Sequence, residues 1–345
     1  MNTFEFIGNI IKPKEGQFIK KLPTGNKIMK LIVRQNETNS AYVQLTGNHI
    51  YSGSIPVMLH NKGGRQYVPY EERFNPNILS SVSYVSKVVT NLNTLNGENK
   101  EFIYNQDFME YIDTALDMYD KNTLFKVEGD FTITEYNGKF YNNFNIRSIK
   151  TTNETIPEFK MHLDLFYNHE GLDESDKRNR FILNAYIEQY IYSLKSNKYI
   201  PIQVEFNTNR FDFKNPTDVE IIRHRKENML PPKELGFVKA KWDAQYVRGA
   251  QLILPPLETL PKDIQFEIKN AGRDIKEYMQ NIVSEAKEII CLTRPDNTLS
   301  KDGSVYTKLN CTENEFKSNI YQTDIIGEET IDKLANDDAK QNPFN

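Results

Sequence analysis

Cations and aromatic rings recur at alternate positions along several segments of this chain. In KIMKLIVR (27–34), Met29, Leu31 and Val33 form an apolar set, and Lys30, Ile32 and Arg34 fall between them. In AYVQL (41–45), Ala41, Val43 and Leu45 alternate with Tyr42 and Gln44. Further along, Phe140, Phe144 and Ile146 are candidates for an inner face, which turns Tyr141 and Arg147 outward. In the second half Phe237, Lys239 and Lys241 are expected opposite Val238, Ala240 and Trp242, beside Tyr246 and Arg248. A possible β-arm adds Arg65, Tyr67, Tyr70, Arg73 and Phe74. Successive side chains of a strand take opposite faces, so each segment presents rings and cations together on one side. Rings stack on unpaired bases for about 1–3 kcal/mol each, and cations neutralise phosphates. The same alternation also describes an ordinary sheet exterior over which long cations lie flat.

Other chemistries find little support. No phosphate-cradling G-x-x-x-x-G-K-[ST] run occurs. The five histidines (49, 60, 162, 169 and 224) lack zinc spacing, and the two cysteines, Cys291 and Cys311, lie far apart. Asp173, Glu174 and Asp176 have the chemistry to hold Mg²⁺, but their loop setting favours a solvated turn. Cys291 follows two isoleucines and reads as buried rather than nucleophilic. The expectation is a protein without catalysis, metal or cofactor.

Elements must position the rings and cations. Phe4 to Ile11, Lys27 to Arg34 and Ala41 to Leu45 read as strands, with Gln35 to Ser40 a polar hairpin loop. Gly63-Gly64 marks a turn within the proposed arm, and Gln106 to Tyr119 has helical spacing. Two alternating strands over 124–149 flank Asn137-Gly138, a strong hairpin signal. After a linker at 150–158 the order repeats. Phe159–Tyr167, 180–192 and Tyr199–Phe206 read as strands, although 180–192 also fits a helix, and Pro216 to Lys226 as a short helix. Residues 236–251 read as a strand, a tight turn near Asp243-Ala244 and a return strand, and Pro261 to Ile289 as a C-terminal helix.

Composition sets the limits. The 345 residues are 38% hydrophobic and 26% charged, ordinary for a globular chain with room for two domains. No apolar run is long enough to cross a membrane as a helix, the N-terminus lacks a secretory pattern, and the cysteine content fits a reducing cytosol. The net charge is −4, but residues 313–345 carry eight acidic and three basic side chains, so the rest of the chain is close to neutral. A near-neutral body still accommodates a locally basic groove. The acidic tail, poor in aromatics, reads as disordered.

The first 150 residues resemble the OB-fold single-stranded DNA-binding proteins of bacteria and their phages. FEFIGNI is similar to the first barrel strand of that family, KIMKLIVR and AYVQLTG to strands two and three, and NTLFKVEGDFTITEYNGKFYNNFNI to strands four and five. Val127-Glu128-Gly129 stands where such a barrel closes. The resemblance implies a mainly β (α+β) chain with two OB-type five-stranded Greek-key barrels in tandem. The divisions are 1–150 with an arm inserted over about 47–105, 157–290 with the C-terminal helix, and a C-terminal extension over 291–345. The extension ends in Asp337, Asp338, Pro343, Phe344 and Asn345, similar to the acidic Pro-Phe ending by which family members recruit replication and recombination proteins. Asn345 departs from that pattern by following the Phe. The implied role is single-stranded DNA binding in phage replication or recombination, in a bacterial host cytoplasm, with RNA binding and oligomer formation left open. The alternatives are a β-rich viral assembly protein and a metal-dependent nuclease.

Overall fold

In a computed structural model the described residues are 2–13, 18–22, 26–47, 57–61, 64–173, 181–191, 193–206, 214–249, 262, 265, 287–295 and 306–321. Five alternating segments form β1 (Thr3–Ile11), β2 (Lys27–Arg34), β3 (Ser40–Gly47), β4 (Leu124–Tyr136) and β5 (Lys139–Thr151). β1 pairs antiparallel with β2 and β4, β2 with β3, and β4 with β5. β3 and β5 run parallel, which closes the ring in the order β1-β2-β3-β5-β4. This is a Greek-key barrel of the OB type. Met29, Leu31, Val33, Ala41, Val43, Leu45, Phe144 and Ile146 all point into its core, as the alternation requires. The β4–β5 turn places Asn137 and Gly138 at φ 50° and 73°, the left-handed pair that a two-residue hairpin needs. Helix α1 (Asn105–Leu116) adds Phe108, Met109, Ile112 and Ala115 to the same core.

The second half repeats the ring. It is formed by β6 (Glu158–Tyr167), β7 (Phe181–Ile191), β8 (Ser196–Phe206), β9 (Val238–Gly249) and β10 (Lys287–Pro295). β6 pairs antiparallel with β7 and β9, β7 with β8, and β9 with β10, while β8 and β10 are parallel. The segment 180–192 is therefore a strand. Helix α2 (Pro216–Met229) lies between β8 and β9 in sequence, where α1 lies between β3 and β4. The barrels are joined along β1 and β6, which pair antiparallel from Thr3↔His162 to Ile7↔Glu158. Their interiors form one hydrophobic cluster.

Three expectations change. No turn interrupts β9 at Asp243-Ala244. The strand runs straight on, with the register shift taken up by a bulge at Thr293 of its partner, and its even-numbered side chains from Val238 to Tyr246 are buried without a break. Tyr246 is consequently 1% exposed rather than outward, with its ring 5.8 Å from Phe6 and 4.8 Å from Phe144. The partner of β9 is β10, so residues 287–289 end in a strand and the second barrel extends to 295, past the division at 290. Of the proposed helix over 261–289, only Lys262 and Gln265, both helical, and 287–289 lie among the described residues. Phe140 keeps the parity of the inner face, but the hairpin has run past the end of the barrel there, leaving the ring 37% exposed.

The insertion also does more than form an arm. Strands 57–61 and 64–68 pair as a hairpin, and Val88–Thr90 adds to the barrel sheet by running parallel to β5. At the other end, Tyr306–Lys308 pairs with the start of β9, and helix α3 (Glu313–Ser318) follows, opened by a Thr312/Glu315 capping box.

Candidate nucleic-acid interface

The outer face of β2, β3, β5 and β4 is a single surface because their registers align. Lys30 lies opposite Gln44, and Ile32 opposite Tyr42. Gln44 in turn aligns with Asn145, which puts Tyr42 level with Asn143 and Tyr141 two residues earlier on β5. Amides and hydroxyls tile the middle. Gln44 Nε2 donates to Asn143 Oδ1 at 3.4 Å, Asn143 Nδ2 to Thr134 Oγ1 at 2.7 Å, and Asn145 Nδ2 to Thr132 Oγ1 at 2.9 Å. Tyr42 and Tyr141 stand out from this layer, 51% and 42% exposed. Burial and the neighbouring Lys20 ammonium hold Lys30 below the ordinary lysine value. An anion placed there would relieve both penalties.

The second barrel contributes to the same surface. The Arg248 guanidinium lies 4.4 Å from the centroid of the Tyr42 ring, and its Nε is 3.3 Å from Glu288 Oε1. Asn142 Nδ2 donates to the other Glu288 oxygen at 3.1 Å. Asn39, buried in the β2–β3 loop, accepts from the Arg248 backbone N–H at 2.7 Å and donates through Nδ2 to the Tyr246 carbonyl at 3.4 Å. Sequence reasoning passed over Asn39, Asn142 and Glu288. Asn39 looked like one more polar loop residue, and the partner strand of β9 was not recognised.

The remaining candidates are arranged differently. Arg147 shares the outer face of β5, but its Nε lies 2.6 Å from Asp130. Arg34 is exposed at the end of β2, opposite Ser40. Phe237, Lys239 and Lys241 are on the other barrel. Lys239 Nζ is 2.9 Å from Asp164, and Phe237 stacks on Phe316 of α3 at 3.9 Å. Phe316 is also stacked on Tyr199 at 4.1 Å, so the C-terminal segment already covers the aromatic face of the second barrel. Lys241 is half-buried on β9, opposite Asp164.

In the arm region Tyr67 is exposed, whereas Arg73 is held by Asp107 at 2.7 Å and by the Tyr70 ring at 3.7 Å, which fastens the insertion to α1. Burial first, then the nearby Tyr70 and acidic side chains, push the adjoining Tyr104 hydroxyl up to about 12. The Arg65 side chain and the tail residues Asp337, Asp338, Pro343 and Phe344 lie outside the described residues, as do Glu174 and Asp176. Among the described residues no three metal-ligating side chains gather.

No family model and no curated protein matches the sequence. Among solved structures, the chain is similar to the single-stranded DNA binding protein from Thermus aquaticus. A deletion mutant of that protein aligns at 12% identity with a TM-score of 0.32, over 76% of this chain and 98% of that one. The wild-type structure aligns at 8% identity and 0.31, over 72% and 85%. The barrel assignment rests on strand order and register, not on this distant likeness.

Proposed function

We propose that the protein binds single-stranded nucleic acid, DNA in the first instance, on the outer face of its first barrel, without catalysis. The observation that carries this reading is the exposed Tyr42 ring with the Arg248 guanidinium on it, beside Tyr141 and Lys30 on one aligned surface. A ring accepts a stacked base of any sequence, and the amides and hydroxyls around it keep the surface wet and free of competing apolar partners. The phage replication or recombination role implied by the sequence resemblance is the accompanying proposal, as is recruitment of partner proteins through the acidic tail.

Four of the proposed cations (Arg73, Arg147, Lys239 and Arg248) already hold carboxylates. Stacking therefore outweighs charge in this site. Titration of labelled oligothymidylate at two salt concentrations tests the proposal. Binding is expected to be micromolar or tighter and to weaken with salt along a shallow log–log slope of about −1 to −2, as two or three neutralised phosphates give on a single strand. No binding at low salt rejects it.

A further inference from the structure

Beyond the stacking face, a cleft of about 510 Å³ lies between the barrels. One wall is the tip of the β4–β5 hairpin, with Phe140 and Asn142. The other is the outer face of β7 and β8, with Tyr186, Asn184 and Gln203, and Glu288 of β10 closes the end. We propose that this cleft receives one unpaired nucleobase of the bound strand and prefers a base bearing an amino group over thymine. The inference rests on the single-stranded nucleic-acid reading and deepens it.

Among the described residues the lining contains rings and amides but no lysine or arginine, and its one charge is the Glu288 carboxylate. That composition repels a phosphate and suits the neutral part of a nucleotide. The Phe140 and Tyr186 rings offer apolar surface for a base. Gln203 Nε2 donates to Asn184 Oδ1 at 2.9 Å. This single bond leaves the Gln203 carbonyl oxygen and the Asn184 amino group to meet a base edge, an acceptor and a donor side by side. Glu288 is paired with Arg248 through one oxygen, accepts from Asn142 on the other, and also accepts from the Tyr246 hydroxyl, so of the about four acceptor sites of a carboxylate one is left for a ligand. A carboxylate acceptor reads an exocyclic amino group, the contact by which Glu and Asp select cytosine. Thymine has no such group.

The cleft also adjoins the stacking face by direct contacts. Tyr42 touches Arg248, Arg248 bonds Glu288, and Glu288 bonds Asn142 of the cleft wall. A strand stacked on Tyr42 can place a neighbouring base in the cleft while its phosphate stays beside Arg248.

The experiment compares the full chain's affinity for oligothymidylate about 20 nucleotides long with that for the same oligonucleotide carrying one central deoxycytidine. The wild type is expected to favour the substituted strand by about fivefold or more. Glu288→Gln, whose amide also donates to thymine, is expected to bring the ratio of the two affinities to about one, whatever its affinity for oligothymidylate itself. Asn184→Ala, at an exposed position, is expected to reduce it without altering the fold. Equal affinities of the wild type for both strands overturn the inference and leave the binding reading intact. A preference that persists unchanged in Glu288→Gln also overturns it. If neither strand binds at low salt, the binding reading fails and the base pocket with it.

Discussion

The guanidinium of Arg248 on the second barrel lies 4.4 Å from the ring of Tyr42 on the first, and the backbone of Arg248 is fixed by the side chain of Asn39, three residues before Tyr42. One barrel therefore supplies the ring and the other the cation. The β1–β6 pairing that welds the barrels sets the distance between them. The consequence is a site that neither barrel completes alone.

Tyr42→Ala removes the exposed ring without touching the core. Affinity for oligothymidylate is expected to fall by about 1–3 kcal/mol, with the thermal midpoint unchanged. Tyr42→Phe keeps the stacking surface and should bind within about twofold of the wild type, because the hydroxyl contributes little to stacking. A fluorescence titration paired with a melting curve separates the two effects.

Asn39→Ala acts on stability as well as binding. It leaves the Arg248 amide and the Tyr246 carbonyl without their partner at a buried position, which costs about 1–3 kcal/mol. Denaturant unfolding at neutral pH should record the loss. Affinity should drop too, since Arg248 is no longer held over Tyr42.

Gly129 tests the closure of the first barrel. A Cβ at this position would meet the Asn145 carbonyl oxygen and the edge of the Phe4 ring. Gly129→Ala must push β4 away from β5 or displace a core phenylalanine, and a loss of more than about 2 kcal/mol is expected by calorimetry. Gly138→Ala, with open space around its Cβ but φ at 73°, should cost only about 1 kcal/mol.

Glu128 gives the fold a defined acid limb. Burial raises its carboxyl, but the Ser148 hydroxyl at 2.7 Å and the Lys126 ammonium at 3.2 Å outweigh that and hold it below its ordinary value of 4.5. A depressed folded pKa stabilises above the unfolded value and is lost as pH falls through the folded one. Glu128→Gln should therefore be less stable than the wild type at pH 7, and the difference should shrink as the pH drops below about 4.5. Chemical denaturation at several pH values measures this directly.

Much of the fold was legible because period-two alternation is a strong signal. Leu31, Val43 and Phe144 identified their strands, and Asn137-Gly138 fixed the hairpin. The second barrel was harder to read. β9 runs unbroken through Asp243-Ala244, but a polar Asp on the outer face of a strand resembles a turn residue in the sequence. Its partner begins at Lys287, where Ile290 and Leu292 alternate as a strand requires, but a preceding helical spacing hid it. Missing β10 concealed Glu288, and misplacing the turn sent Tyr246 outward. Among the cations, sequence parity placed Lys30 and Arg147 on the outer face. It could not reveal that Asp130 holds Arg147, or that Asp107, across the insertion, holds Arg73, because ion pairing depends on registers between distant strands. The same limit applies to Phe237, whose stacking partner Phe316 lies 79 positions later.

Photocrosslinking of bromodeoxyuridine-substituted oligothymidylate, followed by peptide mapping, tests the location of the site most directly. The predicted adducts fall on Tyr42 and Tyr141, and the Tyr42→Ala chain loses the first of them. Binding at low salt with every adduct on the arm around Tyr67, or on the second barrel near Phe237, would contradict it.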